Sequence, residues 1–117
     1  MTLSRPLADS LVELVAARFR ALGQPVRVQL IDRIDQLGEA HVQVLADELA
    51  ATQQNTSKHL GALWRAGLVA RRHEGRVTVY GLADREAVML IERVATDIAT
   101  QLRDLGGSPP IGEADTR

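Results

Sequence analysis

The spacing of apolar residues shifts at Gly67 from a helical period to strict alternation and returns to a helical period near Asp84, which limits this chain to helices flanking one small β-hairpin. Leu7, Leu11, Leu14, Val15, Phe19 and Leu22 predict a first helix that Gly23 stops. Pro25 suits the opening turn of a second helix, whose apolar residues Val28, Leu30, Ile31, Ile34 and Leu37 run to Gly38. Val42, Leu45, Ala46 and Leu49 predict a third helix of about two turns. After a link around Ala50 to Thr52, a fourth helix follows, with Thr52 as its N-cap and Leu60, Leu63 and Thr56 on its inner side. Beyond Gly67, Leu68-Val69-Ala70 leads into Arg71-Arg72-His73, and Val77-Thr78-Val79-Tyr80 lies past the Glu74-Gly75 turn, so the two runs predict a hairpin. Asp84 is expected to cap a last helix reaching about Leu105. Its Val88, Ile91, Ala95, Ile98, Leu102 and Leu105 alternate steps of three and four, and Leu90 and Val94 widen the stripe. The fold class expected is mainly α with a small β-hairpin: a winged helix-turn-helix of about five helices plus a two-stranded wing.

One core is all that 117 residues support, and residues 1–105 are expected to form one domain. Phe19, Trp64 and Tyr80 are the only aromatic residues, so Leu, Val, Ile and Ala must fill that core. From Gly106 to Arg117 the sequence is Gly, Ser, Pro and charge with little to bury, and a disordered tail is expected there. Cysteine is absent, which excludes disulfides, thiolate metal sites and catalytic thiols. Ser4, Arg5, Asp9, Ser10 and Glu13 interrupt the amino terminus, so it does not read as a signal peptide, and no stretch approaches the roughly 18 apolar residues of a membrane span. A cytoplasmic protein with no membrane partner is expected.

The net charge of −1 hides a segregation. Residues 53–80 hold Lys58, Arg65, Arg71, Arg72 and Arg76 against Glu74 alone, a net +4, which leaves −5 on the remainder. The start of the fourth helix carries Gln53, Gln54, Asn55, Ser57 and Lys58, which are side chains able to pair with base edges in a major groove. Arg71, Arg72 and Arg76 surround the hairpin turn, within reach of phosphates or a narrow minor groove. His59 is a candidate to bond a phosphate or a backbone carbonyl, whereas Trp64 is expected to pack on a neighbouring element. Thr52, Gln53, Gln54, Asn55, Ser57, Lys58, His59, Arg71, Arg72 and Arg76 are therefore the candidate contacts to double-stranded DNA.

Phe19-Arg20-Ala21-Leu22-Gly23-Gln24-Pro25-Val26-Arg27, Ser57-Lys58-His59-Leu60-Gly61-Ala62-Leu63-Trp64-Arg65-Ala66-Gly67-Leu68-Val69 and Arg71-Arg72-His73-Glu74-Gly75-Arg76 before Val79-Tyr80 resemble, in that order, the bacterial ArsR/SmtB repressors. The resemblance covers roughly residues 15 to 105 and departs at Thr56, where an aliphatic residue is expected. It implies a sequence-specific regulator, a repressor, that binds a palindromic operator as a homodimer with half-sites about 34–36 Å apart. It also implies that the first and last helices join the dimer, which gives Leu7, Leu11, Leu14, Val88, Ile91, Ala95, Ile98, Leu102 and Leu105 as interface candidates.

Metal-sensing positions of that family fall on His41 and Gln43, and on Asp84, Glu86, Asp97 and Thr100. The first pair lacks thiolates, so it makes no closed soft-metal site. Asp84, Glu86 and Asp97 offer oxygens for a hard cation, but Asp84 is explained as a cap and Glu86 by the helix dipole. No metal and no cofactor are expected, and an unidentified small-molecule effector stays open. No nucleophile with its base, paired carboxylates or phosphate-binding loop occurs at a convincing spacing, so catalysis is not expected. The competing reading is a winged-helix module that binds another protein; it predicts exposed apolar anchors where Gln54, Ser57 and Lys58 stand.

Overall fold

In the computed structural model, which describes residues 2–106, the elements follow in the order α1 (Asp9–Leu22), α2 (Pro25–Leu37), β1 (Glu39–His41), α3 (Val42–Glu48), α4 (Gln53–Arg65), β2 (Val69–Glu74), β3 (Val77–Leu82) and α5 (Glu86–Asp104). The tail expected over residues 106–117 lies, beyond Gly106, outside the described residues. The chain divides into two units, one up to Asp84 and one from Arg85, and each is described by itself.

In the first unit, α2 begins at Pro25, whose fixed φ and missing N–H cost nothing in a first turn. It ends at Gly38, where a φ of 86° reverses the chain in a conformation that L side chains rarely adopt. Leu30, Ile31 and Ile34 of α2, Leu45 and Ala46 of α3, and Leu60 and Leu63 of α4 are fully buried and make the core. The mainly aliphatic composition is sufficient because three short helices interlock over it. Leu7 stands before α1 rather than inside it, because α1 begins at Asp9.

The reversal at Gly38 leads into β1, a strand that sequence periodicity did not reveal. The sheet therefore has three antiparallel strands in the order β1-β3-β2. Glu39 pairs with Gly81, Ala40 with Tyr80 and His41 with Val79. On the other side of β3 the hairpin runs from Val69–Leu82 to its closing pair, Glu74–Val77. Gly75 has a φ of 63° while Arg76 does not enter the positive-φ region, which is the pattern of a type II′ turn and matches the twist of the strands.

Thr56 is fully buried on the same side of α4 as Leu60 and Leu63, and its hydroxyl has no hydrogen-bond partner among the described residues. A buried, unsatisfied hydroxyl costs about 1–3 kcal/mol. The nearly isosteric Thr56→Val substitution is therefore expected to stabilise the protein by about 1 kcal/mol and raise its melting temperature by roughly 5 °C, followed by circular dichroism. A lower melting temperature would mean that the hydroxyl is satisfied in solution.

The second unit is α5. Its N-cap is Arg85, one residue after the expected Asp84, and Arg85 makes no side-chain capping bond. Glu86 in the first turn and Arg103 in the last complement the helix dipole. Ile98, Leu102 and Leu105 are exposed in the single chain, and Ile91 is half-buried. Val88 is already buried, so it has little surface left to offer a second protomer. Among the described residues no helix is long and apolar enough to cross a membrane.

Candidate nucleic-acid interface

Helices α3 and α4 are joined by four residues, and the reversal is concentrated at Ala50, whose φ of 52° is unusual for a residue with a Cβ. The Ala51 N–H donates to the Ala46 carbonyl at 2.9 Å and closes the end of α3. The next helix starts at once, because the Thr52 hydroxyl oxygen accepts from the Asn55 N–H at 3.0 Å. This bond between N-cap and N3 satisfies one of the amides that a helix start leaves open.

With Thr52 as cap and Thr56, Leu60 and Leu63 turned inward, the helical period turns Gln53, Gln54, Ser57 and Lys58 outward. These four line one shallow surface depression of about 530 Å³. Among the described residues none of the four side chains hydrogen-bonds to the rest of the chain, so their donors and acceptors remain open. Asn55 is exposed beside them.

His59 is placed differently from expectation. It is only 9% exposed, and its Nδ1 accepts a hydrogen bond from Arg27 Nε of α2 at 3.0 Å. Burial, reinforced by the positive charges of Arg27 and Lys58, lowers its pKa from the usual 6.5. The ring faces the protein, not the outward surface that Lys58 occupies, so His59 is removed from the candidate contacts.

The wing cations also divide. The Arg71 guanidinium lies 3.6 Å from the centroid of the Trp64 ring and ties β2 to α4 by a cation–π contact. This meets the packing role expected for Trp64. Arg72 lies on the other face of the sheet between two carboxylates, with Nη2 donating to Glu39 at 3.1 Å and to Glu74 at 2.6 Å. His41 Nε2 stands 3.7 Å from Glu74. Arg76, at the turn, is exposed and makes no ion pair among the described residues. The surface that is positive by sequence thus presents Lys58 and Arg76 without an ion pair among the described residues, with Arg71 held on an indole and Arg72 largely neutralised.

Sequence reasoning missed Arg27 and Glu39. Arg27 sits near the start of a helix with nothing local to distinguish it from a solvated cation, and Glu39 belongs to a strand of three residues, too short to show alternation.

Among the described residues no three His, Cys, Asp or Glu side chains gather at metal-binding spacing, and cysteine is absent.

No protein-family model matches the sequence. The chain is 29% identical to the HTH-type transcriptional regulator Rv0081 of Mycobacterium tuberculosis, over 86% of this chain and 96% of that one. Its fold superposes on the crystal structure of Rv0081 with a TM-score of 0.75, at 27% identity, covering 86% of this chain and 100% of the other. It is 37% identical to the HTH-type transcriptional regulator CmtR of Mycobacterium tuberculosis, over 67% of this chain and 71% of that protein. The homodimeric winged helix-turn-helix DNA-binding domain of Mb0332 from Mycobacterium bovis matches with a TM-score of 0.69 and 29% identity, over 83% of this chain and 91% of that domain.

Proposed function

Because the chain belongs to the ArsR family of winged helix-turn-helix transcriptional regulators, a DNA-binding family and not an enzyme family, we propose that it is a repressor that binds a palindromic operator as a homodimer. The observation that carries this reading is the outward face of α4, where Gln53, Gln54, Ser57 and Lys58 stand together with their hydrogen-bonding groups uncommitted. Glutamine is suited to two hydrogen bonds with an adenine edge, serine to several bases, and lysine to a guanine edge or a phosphate. Arg76 at the wing tip is assigned to a phosphate beside the bases that α4 reads, and Thr52, Asn55 and the more constrained Arg71 and Arg72 are the further candidate contacts.

Two copies joined through α1 and α5 set the half-site spacing at about one helical turn, 34–36 Å. The exposed Leu14, Ile98, Leu102 and Leu105, with the half-buried Leu11 and Ile91 and the small Ala95, supply the apolar stripes for that contact. Occupation of the operator is enough to exclude other proteins from it, which is repression by position. Release does not involve thiolate-bound metal, since the chain has no cysteine.

The test is a fluorescence-anisotropy titration against the DNA upstream of the protein's own gene and a scrambled duplex, at two salt concentrations. Tighter binding to the upstream DNA, steeply weakened by salt, is expected. Equal affinity for both duplexes would refute an operator in that DNA. In the same assay Arg76→Ala is expected to weaken both duplexes and to reduce the salt slope by roughly 2 for a dimer, about 0.9 for each phosphate that the arginine no longer neutralises. An unchanged slope would take the wing tip off the phosphates.

A further inference from the structure

We propose that Arg27 and His59 form a positioning pair that seats α4 for operator binding only while His59 is neutral, so that operator affinity falls on acidification. The proposal rests on the reading of α4 as the helix that meets DNA, and it adds a residue pair and a proton to that reading.

The geometry is one guanidinium serving two helices. Arg27 Nε donates to His59 Nδ1 at 3.0 Å, and its Nη1 donates to the Ala21 carbonyl, in the last turn of α1, at 3.2 Å. Arg27 therefore links the end of α1, through α2, to the inner side of α4. Hydrogen-bond geometry alone rarely assigns an imidazole tautomer. Here the partner decides it: a guanidinium has only donors and keeps its proton in proteins, so Nδ1 must present a lone pair and the proton must sit on Nε2.

Protonation at Nδ1 would remove the acceptor and set an imidazolium against a guanidinium in a nearly buried place. The charged groups around the ring offer no compensation. Arg27 on α2 and Lys58 on α4 act on it, and both are cations. From α1, Arg18 reaches the Ala66 carbonyl at the far end of α4. From β2, Arg71 lies on Trp64. The α3 carboxylates are engaged elsewhere, Asp47 with Gln43 and Glu48 with Arg33.

The sign follows from the depressed pKa of the folded state. Above about 6.5, where an ordinary imidazole is neutral, the pair contributes in full; as the pH falls from there through the lower folded value, the contribution is lost. A variant that lacks only the His59 imidazole keeps every other titratable group of the protein, so a pH dependence lost with it belongs to His59.

The experiment measures operator affinity between about pH 8 and pH 5.5 at constant ionic strength, together with nitrogen-15 shifts of the His59 ring in the DNA-free protein. Wild type is expected to lose roughly tenfold in affinity across that range, the factor carried by one charge-assisted hydrogen bond. His59→Asn places an amide oxygen near the position of Nδ1 and does not titrate; it is expected to retain binding and lose that pH dependence. His59→Leu removes the acceptor and is expected to bind weakly at every pH, with folding of both variants checked by melting curves. A His59→Asn profile that follows wild type, or ring shifts showing the proton on Nδ1, would overturn the pair. Failure of α4 as the reading helix shows elsewhere, as unchanged discrimination when Gln54 and Lys58 are replaced.

Discussion

A protein carrying Gln54→Ala and Lys58→Ala together is expected to melt like wild type yet lose about 2–6 kcal/mol of discrimination between operator and random DNA in each half-site, at about 1–3 kcal/mol for each base-edge contact. Stability should be spared because both side chains are exposed and neither hydrogen-bonds within the protein among the described residues. The helix start also keeps its cap, since the Thr52–Asn55 bond involves neither residue. Discrimination should suffer because both positions belong to the single depression that the cap and the inward residues of α4 turn outward. Competition anisotropy with operator and scrambled duplexes measures the difference directly. If the ratio of affinities stayed at its wild-type value, α4 would not be reading bases, and specificity would have to come from DNA shape through the wing.

Replacing Ile98 and Leu102 with aspartate is expected to give a monomer by sedimentation and to lower operator affinity at least roughly a hundredfold. The magnitude follows from tethering: when two half-sites are held by one dimer, the second binding event is intramolecular, and linkage of this kind raises avidity by about 10²–10⁴. The two residues suit the test because both are exposed in the single chain and lie on the α5 stripe with alternating steps of three and four. Buried carboxylates across such a seam would be desolvated without partners. A double variant that still sediments as a dimer would place the interface elsewhere. Val88 would be a poor choice, because its burial would confuse folding with association.

The parts of this molecule that were legible in the sequence are those governed by local rules. The helical period, Pro25 at a helix start and Gly38 at its end are short-range signals, as are Thr52 before a polar turn and Gly75 in a hairpin. Each reappears in the fold with its physical reason intact. What was not legible depends on partners distant along the chain. Arg72 read as a free cation because Glu39, which engages it, lies 33 residues away on a strand too short to recognise. His59 read as an outward residue beside Lys58 because nothing near it in sequence reveals Arg27, 32 residues earlier. Asp84 was off by one position, since α5 takes Arg85 as its N-cap, a shift that residue type alone does not reveal. Charge counted over residues 53–80 was correct as arithmetic but overstated the field, since β1 brings a carboxylate from outside the interval to Arg72.

The outward side chains of α4 take no part in holding the fold together. Leu60, Leu63 and the pair formed by His59 and Arg27 anchor the helix from its inner side, while Gln53, Gln54, Ser57 and Lys58 only decorate it. Under the proposed role of α4, descendants of this chain change the sequence they recognise by single substitutions that leave the scaffold as stable as before. A duplicated gene would then diverge toward a new set of operators without first passing through an unfolded intermediate. On the same reading α4 is a graft site for re-targeting, with these four positions the ones to vary.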